Sequence, residues 1–517
     1  MGSNGSLRDT VSTLLSPPTR VNTGLPWTFS GAIDVEAGAT DSPGGNVNNG
    51  WQPLFLVAPD FNLTGVTSRL NVALSYSPRL TYYPSSGGQS LLTHSFNGNV
   101  NAVIVPDLLY FNARGLTGVS SRFGYSSLQS NTLYSRDDAV QTSSFSLSPY
   151  LQRTIGGWGT LTVGYSYSAS FQDNPGNIPF GIVAPNSIPT AGYGTTGRLF
   201  TNTEYGSFTT GENLGRVQDT ASVSASQNSG STFYQGSSTF TANNEISYAL
   251  YRWLTILADV GYQEYNYPNG GYKLSQPSWA VGFTVIPNAD SSITVKYGQT
   301  AGVNTILANG TYSPTARTRV YGSYDVQIQT GLGATQGLLG STNVGPGGLL
   351  VDRLSGVPVL GNNYLASQYP LSRVKTLTVG GLLLLDRDTV TASVSHANVT
   401  QLVNSTDVLG INTGVGTTTD STYATVGWQH DLNPTNSLYS SVSYGVSNTG
   451  VYYGVPGGSQ DTLQLYTGLN HTFTDTLTGS VSYSHAERYG AAVRSLPSTF
   501  GGTASQNTVL VGLRKSF

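Results

Sequence analysis

Charged residues are scarce in this chain, and cysteine is absent. Only 9% of the 517 residues are Asp, Glu, Lys or Arg, against about 25% in ordinary soluble domains, so a soluble surface of this size would be poorly covered. Disordered chains are usually rich in charge and poor in aromatic residues, whereas 11% of this chain is aromatic. The composition therefore disfavours both a soluble globule and a disordered chain, and the absence of cysteine suits a protein of the cell envelope.

Long apolar segments and a strong net charge are missing as well. The sequence has no run of about 18 apolar residues, so a membrane-spanning helix is not expected. The net charge of −3 gives no basic field that would attract nucleic acid. No signal peptide is visible, and residues 1–6 resemble an expression scar. We expect residues 1–26 to form a short N-terminal periplasmic segment, too small to be a plug domain.

The chain has instead a repeated alternation of apolar and polar residues. The last stretch, from Asn507 to the terminal Phe517, shows it clearly, with one face of an extended strand made of Val509, Val511, Leu513 and Phe517. In hydrocarbon every backbone N–H and C=O must be paired inside the protein, so a sheet that spans a membrane must have no free edge. We therefore expect this last strand to pair with the first one, which begins at Trp27.

The same period of two recurs along the chain, as half-buried strands require. The segments are joined by tight turns near residues 105–107, 156–157, 287–290, 313–315, 386–388, 433–435 and 474–475. Longer connectors rich in Gly, Ser, Asn and Tyr cover roughly 39–52, 122–141, 173–196, 267–277, 331–373, 404–420, 449–460 and 489–504.

Short turns that alternate with long loops are typical of bacterial outer-membrane barrels, which have short periplasmic turns and long outer loops. The fold class predicted is therefore all-β: a transmembrane antiparallel β-barrel of about 22 strands, formed by residues 27–517 as a single domain in the bacterial outer membrane. The periodicity is weakest over residues 197–233.

Four stretches of the chain carry a resemblance to a known family: Phe55 to Tyr83, Ser144 to Ser168, Trp279 to Asp325, and Thr508 to Phe517. Together they resemble a family of uncharacterised outer-membrane β-barrels that is associated with exopolysaccharide and PEP-CTERM protein-sorting systems. The similarity runs over nearly the whole barrel, and its motifs are patterns of turn and membrane-interface residues. It implies an outer-membrane location, a role near polysaccharide export, and an assembly signal at Gly512 and Phe517 for the barrel assembly machinery.

Residues that could carry chemistry form no recognisable site. The five histidines lack metal-binding spacing and have no Cys nearby, and His471 and His485 are expected at the membrane interface. The Gly-rich stretch 331–350 lacks the ending of a phosphate-binding loop and is expected to be a flexible outer loop. No residue is marked as a hydrolase nucleophile, and no calcium-binding pattern is present. We expect no catalytic residues, no metal and no cofactor, and therefore no enzyme.

The polar face of the alternation predicts what lines the barrel. It carries mainly Ser, Thr, Asn, Gln and Gly, and its few charges are of mixed sign and form no obvious ring. Asp34 and Glu36 lie on this face, and the lumen-lining candidates are Arg69, Arg79, Arg114, Asp259, Lys296, Arg319, Asp325, Lys375 and Arg514. Such a lumen suits neutral or weakly charged solutes. The simpler alternative is that these residues only hydrate the barrel interior.

Two classes of function follow from this architecture, because a barrel of about 22 strands is wide enough to conduct or to need a plug. The first is a porin-like or export conduit, either open or narrowed by an outer loop such as 331–373. The second is a non-conducting surface scaffold that anchors extracellular polymer or a partner protein through its loops. The expected partners are outer-membrane lipid, the assembly machinery, and polysaccharide or an envelope protein; the oligomeric state stays open. A secreted β-helix would need a fixed repeat of about 20–30 residues, and the sequence shows unequal hairpins instead.

Overall fold

A single closed sheet makes up most of the structure. The computed structural model describes residues 27–41, 50–84, 89–121, 139–173, 197–344, 350–352, 371–403, 405–406, 412–413, 418–449, 459–490 and 504–517. Within these ranges 22 antiparallel strands form one sheet. The first strand pairs with the second along one edge and with the last along the other, so the sheet has no free edge. The predicted all-β barrel of 22 strands is confirmed.

The barrel strands are numbered here in chain order. They are β1 Trp27–Thr40, β2 Gln52–Val66, β3 Leu70–Tyr83, β4 Gln89–Val105, β5 Leu109–Ser121, β6 Ala139–Ile155, β7 Gly159–Asp173, β8 Gly197–Thr210, β9 Val217–Gly230, β10 Ser238–Tyr251, β11 Leu254–Tyr267, β12 Tyr272–Val285, β13 Ser292–Thr300, β14 Val303–Thr315, β15 Thr318–Gln329, β16 Ser372–Leu384, β17 Asp388–Gln401, β18 Thr418–Asn433, β19 Asn436–Thr449, β20 Ser459–Thr474, β21 Leu477–Gly490 and β22 Ala504–Ser516.

A few elements lie outside the barrel wall. One α-helix, α1, covers Gly331–Ser341 between β15 and β16. Two short antiparallel pairs join 342–344 with 350–352 and 405–406 with 412–413. The described part of the chain contains no helix with the length and apolarity that a membrane crossing requires.

The alternation decides which side of each strand faces outward. On β12, for example, Val281 and Phe283 are 54% and 44% exposed, as expected for side chains that meet lipid. On the opposite side, side chains of strands that are not neighbours come into contact. Lys296 of β13, for example, reaches Glu245 of β10 and Asp259 of β11. This side is therefore the concave, inner side of the barrel. Apolar residues therefore cover the outside of the barrel, and polar residues line its lumen.

The connections at the two ends of the barrel differ in length. At the end that holds Trp27 and Phe517, no connection between consecutive strands is longer than six residues. In outer-membrane barrels the short turns are periplasmic, so we call this the periplasmic end and the other the outer end. The weakly periodic stretch 197–233 forms the hairpin of β8 and β9, which accounts for the strand count.

One predicted outer loop is much shorter than expected. Residues 267–277 were expected to form a loop, but β11 continues to Tyr267, a single turn covers Pro268–Gly270, and β12 begins at Tyr272. The reversal is tight because Gly271 adopts a left-handed conformation with φ of 63°, which glycine reaches without steric cost. The turn chemistry was visible in the sequence, but its length was overestimated.

The first and last strands close the barrel as predicted. Strand β22 pairs with β1 from Thr508 opposite Thr40 to Ser516 opposite Ala32. The pairing extends to the last residue, because the Phe517 N–H donates to the Gly31 carbonyl oxygen at 2.9 Å and the Gly31 N–H donates to the Phe517 carbonyl oxygen at 3.1 Å. Phe517 is thus part of the seam, by which we mean the pairing of β22 with β1. The residue is 64% exposed on the outward face.

Candidate functional site: the barrel lumen

The lumen wall is rich in paired hydroxyl groups. Inward-facing Ser and Thr side chains on neighbouring strands lie opposite one another and are linked by hydrogen bonds. The oxygen–oxygen distances are 2.6 Å for Ser144 and Ser170, 2.9 Å for Thr203 and Ser226, 2.8 Å for Ser224 and Thr241, and 3.0 Å for Thr425 and Ser443. Such cross-strand pairs stabilise an antiparallel sheet. They also give the lumen a hydroxylated, uncharged surface over several strands.

Two groups of charged residues on the wall each combine one cation with two carboxylates. Lys296 lies between Glu245 and Asp259, with its Nζ 2.9 Å from an Asp259 oxygen and in closer contact with Glu245. Arg514 of β22 contacts both Asp34 of β1 and Asp60 of β2 through the same nitrogen. Each cation is thus shared by two carboxylates. Neither group leaves an unpaired cation facing the lumen.

The structure separates the predicted lumen residues into three sets. Most of them lie on the inward face of their strands, namely Arg79, Arg114, Asp259, Lys296, Arg319, Asp325 and Arg514. Arg69 instead lies in the turn before β3 and is exposed at the periplasmic end. Lys375 of β16 shares the outward face with Leu377 and Val379, which are 40% and 46% exposed.

The last two placements correct the sequence interpretation. Residues on an extended strand change face at every step, so a register error of one residue moves a side chain from the lumen to the outside. Lys375 lies an even number of residues from Leu377 and Val379 and therefore shares their parity on β16. Arg69 has the inward parity of β3, but the strand begins one residue later, at Leu70.

Helix α1 lies inside the barrel. Its apolar side packs on the inner wall, where Leu338 and Leu339 form a buried cluster with the inward-facing Leu116 of β5. The other side is made of Gly337, Gly340 and Ser341, which are exposed. Among the residues that the structure describes, no atom lies within 4 Å of a Cβ built on Gly337 or Gly340. The expected flexible outer loop is therefore, over 331–341, a helix that turns a glycine face to the open lumen.

Polar contacts fasten α1 to the wall at several points. The Arg114 guanidinium donates to the carbonyl oxygens of Leu339 and Thr342, at 2.8 Å and 2.6 Å. These are end-of-helix carbonyls, and a cation there also complements the helix dipole. At the middle of the helix, Gln336 donates to the Leu199 carbonyl oxygen at 3.3 Å and accepts from the Thr201 hydroxyl at 2.9 Å. The predicted lumen residue Arg114 thus positions a helix and does not simply face an aqueous pore.

An apolar cluster at the outer end joins distant parts of the wall. We call it the mouth cluster; its buried members are Leu199, Tyr234, Tyr267, Ala301, Val326, Ile328, Leu332, Leu371 and Val403. Leu199 belongs to β8 and Val403 follows β17, nine strands further around a barrel of 22. Leu332 belongs to α1. The cluster follows neighbouring strands for most of this distance, but a Cβ on Gly270, in the turn between β11 and β12, would lie 3.0 Å from Val403 after β17. This part of the outer end therefore bends over the lumen and narrows the mouth.

The tip of the β13–β14 hairpin supplies the centre of the mouth cluster. Ala301 is 1% exposed and has a φ of 49°, which is unusual for a residue other than glycine. Its N–H donates to the Gln263 side chain at 3.0 Å, and its carbonyl oxygen accepts from Arg373 at 2.8 Å. Gln263 lies on the inner face of β11, two strands away, so the hairpin tip bends inward across β12.

Tyr234 connects the mouth cluster to the start of α1. It lies in the turn Thr232–Tyr234 at the outer end, beyond the barrel strands. Burial raises the pKa of its hydroxyl to about 12, and the same hydroxyl is hydrogen-bonded to Thr330, the residue that caps α1. The hydroxyl therefore stays protonated over the physiological pH range, and this contact does not change with pH.

The histidines form no site with one another. His471 lies opposite Gly479 and His485 opposite Leu465 on the same hairpin, so the two do not meet. Each instead hydrogen-bonds an asparagine, Asn436 or Asn507, at 2.8 Å. Within the ranges that the structure describes, no group of three or more His, Asp or Glu side chains could hold a metal ion.

Comparison with known proteins gives a fold but no family. No protein-family model matches the chain, and no curated protein matches it in sequence. Similar solved structures include a mutant of the ferric enterobactin receptor PfeA from Pseudomonas aeruginosa with enterobactin bound (10% identity, 95% of this chain, 81% of that chain, TM-score 0.50). Another is the open form of the ferric-catecholate import receptor Fiu from E. coli K12 (10% identity, 94% of this chain, 81% of that chain, TM-score 0.48).

At 10% identity the likeness is one of architecture. This likeness agrees with four features of the structure itself. The antiparallel sheet is closed, its outside is apolar, its inside carries hydroxyl groups, and the turns at the periplasmic end are short. The chain is a β-barrel of the bacterial outer membrane.

Proposed function

We propose that the barrel is a gated conduit for neutral or weakly charged solutes rich in hydroxyl groups. The observation that carries the proposal is α1, which lies inside a closed barrel and is fastened to the inner wall by Arg114 and Gln336. A segment placed in this way narrows a lumen without contributing to the wall. The structure then corresponds to a constricted state, and movement of α1 and the mouth cluster would widen the passage.

The chemistry of the wall supports this class of solute. Hydroxyl groups can both donate and accept hydrogen bonds, as a polyhydroxylated solute needs. Aromatic rings on the inward face add apolar surface: the rings of Tyr439 and Tyr466 are 5.5 Å apart, and the Tyr205 hydroxyl is 3.0 Å from the Ser148 hydroxyl. The fixed charges of Lys296 and Arg514 are held by carboxylates. A link to extracellular polysaccharide is consistent with this surface and stays a prediction.

Solute uptake by reconstituted protein tests the proposal. In liposome swelling assays we expect glucose to enter, and gluconate to enter at a rate within about a factor of two at 0.15 M salt, because the few wall charges are screened over about 8 Å. Empty liposomes are the control. Uptake of neither solute, both by the native protein and by a variant without α1, would overturn the conduit.

The charge group around Lys296 gives a second, independent prediction. Lys296→Met leaves Glu245 and Asp259 facing the lumen without their cation. We expect the channel to become more selective for K⁺ over Cl⁻, with a shift in reversal potential under a KCl gradient that grows as the salt is diluted. Lys273→Met is the matched control, because Lys273 is 66% exposed on the outside of the barrel and pairs with Glu264 there. Equal shifts in both variants would contradict the placement of Lys296 in the conduction path.

A non-conducting surface scaffold is the second candidate, and the mouth cluster favours it. If the packing of Leu199, Val326 and Leu332 over the lumen is permanent, the barrel only supports its outer loops. This function predicts that no solute passes even when α1 is removed. It also predicts that an extracellular polymer or envelope protein co-purifies with the barrel and is lost when outer loops are shortened.

A further inference from the structure

The lipid-facing surface of β8, β9 and β10 differs from a normal apolar belt. Polar residues interrupt it over the middle and the outer third of the strands, although hydrocarbon is expected at mid-strand. They are Asn202 and Glu204 of β8, Gln227 of β9 and Asn244 of β10. Small residues lie around them, namely Gly206, Ala221, Ala225 and Ala242, and Val223 is the one larger aliphatic residue among these small ones. We call this surface the polar face.

Pairing with neighbouring strands shows that Glu204 faces outward. Its cross-strand partner on β7 is Tyr165, which is 40% exposed among the outward-facing Leu161 and Val163. On its own strand, Glu204 has Phe200 and Phe208 on the same side, four residues above and four below. A strand needs about 9–11 residues to cross the membrane, and Glu204 is the eighth of the 14 residues of β8. The carboxyl group therefore lies at the depth of the hydrocarbon.

The hydrogen-bonding groups of the polar face are incompletely used. Within the described ranges Glu204 has no ion pair and no hydrogen bond. Asn202 accepts a hydrogen bond from the Tyr165 hydroxyl through its side-chain oxygen, at 2.5 Å. Its amide nitrogen, a donor of two hydrogen bonds, has no partner within the same ranges. The side-chain oxygen of Asn244 also has no hydrogen bond in the described part of the chain, but it is buried beneath the surface, so the exposed unused groups are those of Glu204 and Asn202.

Such groups are costly against lipid. Ionisable residues in the hydrocarbon region are rare and usually paired or turned toward protein or water, and charged residues on the lipid face destabilise a β-barrel. Residues with little or no side chain, such as Ala225 beside Glu204, allow two backbones to approach closely, as they do between membrane helices. The polar face therefore has the composition of a protein contact.

We propose that the polar face binds the same face of a second copy of this chain. The reason for a second copy is self-complementarity, since the face carries an acceptor in Glu204 and donors in Asn202 and Gln227. A two-fold axis brings residue i of one subunit to residue j of the other and the reverse, so each carboxyl can accept from an asparagine or glutamine of the partner. The association buries the carboxyl group and removes it from lipid.

The absence of cysteine in the chain allows a direct test by crosslinking. Ala225→Cys places one thiol beside Glu204, and mild oxidation in outer-membrane vesicles is expected to give a disulfide-linked dimer. Val281→Cys is the control, because it places a thiol on the apolar outward face of β12. No dimer from Ala225→Cys, or equal yields from both variants, overturns the proposal.

Substitution of Glu204 tests the cause of association. In analytical ultracentrifugation of the full chain in mild detergent, Glu204→Gln should remain dimeric, because an amide keeps the hydrogen bonds, whereas Glu204→Leu should become monomeric. Both variants must keep heat-modifiable migration on gels, which reports a folded barrel. If the native protein is monomeric, or carries only bound lipid in native mass spectrometry, the polar face does not bind a second copy and the proposal is wrong. Dimers that persist in Glu204→Leu overturn the role of the carboxyl group.

Discussion

Removing α1 should raise the single-channel conductance of the barrel severalfold. The change is to replace residues 331–341 with a short Gly-Ser linker, which leaves the barrel strands intact. A helix with its side chains is about 10–12 Å across, and α1 lies within the lumen against β5 to β8. We expect larger conductance steps in planar lipid bilayers, because the helix occupies part of the cross-section of the lumen and contributes no strand to the wall.

Two further variants make this prediction specific to the position of α1. Gly337→Trp and Gly340→Trp add bulk on the side of the helix that faces open lumen, where no atom of the described residues lies within 4 Å of an added Cβ. They should lower the conductance without unfolding the barrel. Gly381→Trp adds the same bulk on the outward face of β16 and serves as the control. Equal conductance in the deletion, the tryptophan variants and the native protein would show that α1 does not limit the passage.

The barrel could be predicted from the sequence because its strands obey one local rule. Each strand must place apolar side chains outward and polar side chains inward, so a period of two recurs along the chain and includes the stretch that forms the closing strand β22. The pairing of β1 with β22 is then forced, since a free edge in hydrocarbon is too costly. Asp34 and Arg514 were found on the inward face by the same rule.

Helix α1 could not be predicted, because local preference argues against it. Four of its eleven residues are glycine, the worst helix former after proline. The helix is held by tertiary contacts: the Thr330 hydroxyl accepts from the Gly333 N–H at its start, and Arg114 holds its end. Arg114 lies more than 200 residues away in the sequence, and no local pattern identifies it as the partner of a glycine-rich segment.

The mouth cluster was missed for a different reason. Val326 and Ile328 continue the lipid-facing alternation of β15, yet they are 5% and 7% exposed inside the cluster. Arg373 has the same outward parity on β16 and bonds to Ala301 at the inward-bent hairpin tip. The upper part of β15 and β16 therefore leans over the lumen. Alternation reports which face a residue occupies, but it does not report where the strand bends.

Removing Arg514 should cause the largest loss of stability of any single substitution considered for this barrel. In Arg514→Met, the carboxylates of Asp34 and Asp60 lose their shared cation, although the Asp60 side chain is 0% exposed and that of Asp34 is 19% exposed. Removal of one partner from a buried ion pair costs about 3–5 kcal/mol, because it leaves an uncompensated buried charge. These three residues join β1, β2 and β22, so the substitution weakens the place where the first and last strands close the barrel. Urea unfolding in lipid vesicles measures it.

The combination of Arg514→Met with Asp34→Asn and Asp60→Asn separates charge from packing. Neutral side chains no longer need the cation, so the triple variant should recover much of the stability that the single variant loses. Lys515→Met is the matched control, because Lys515 is the next residue, faces outward, and makes an exposed hydrogen bond to Thr476 at 2.6 Å; it should change stability little. If Arg514→Met were as stable as Lys515→Met, the ion group would not hold the seam, and closure would rest on backbone pairing and the apolar belt alone.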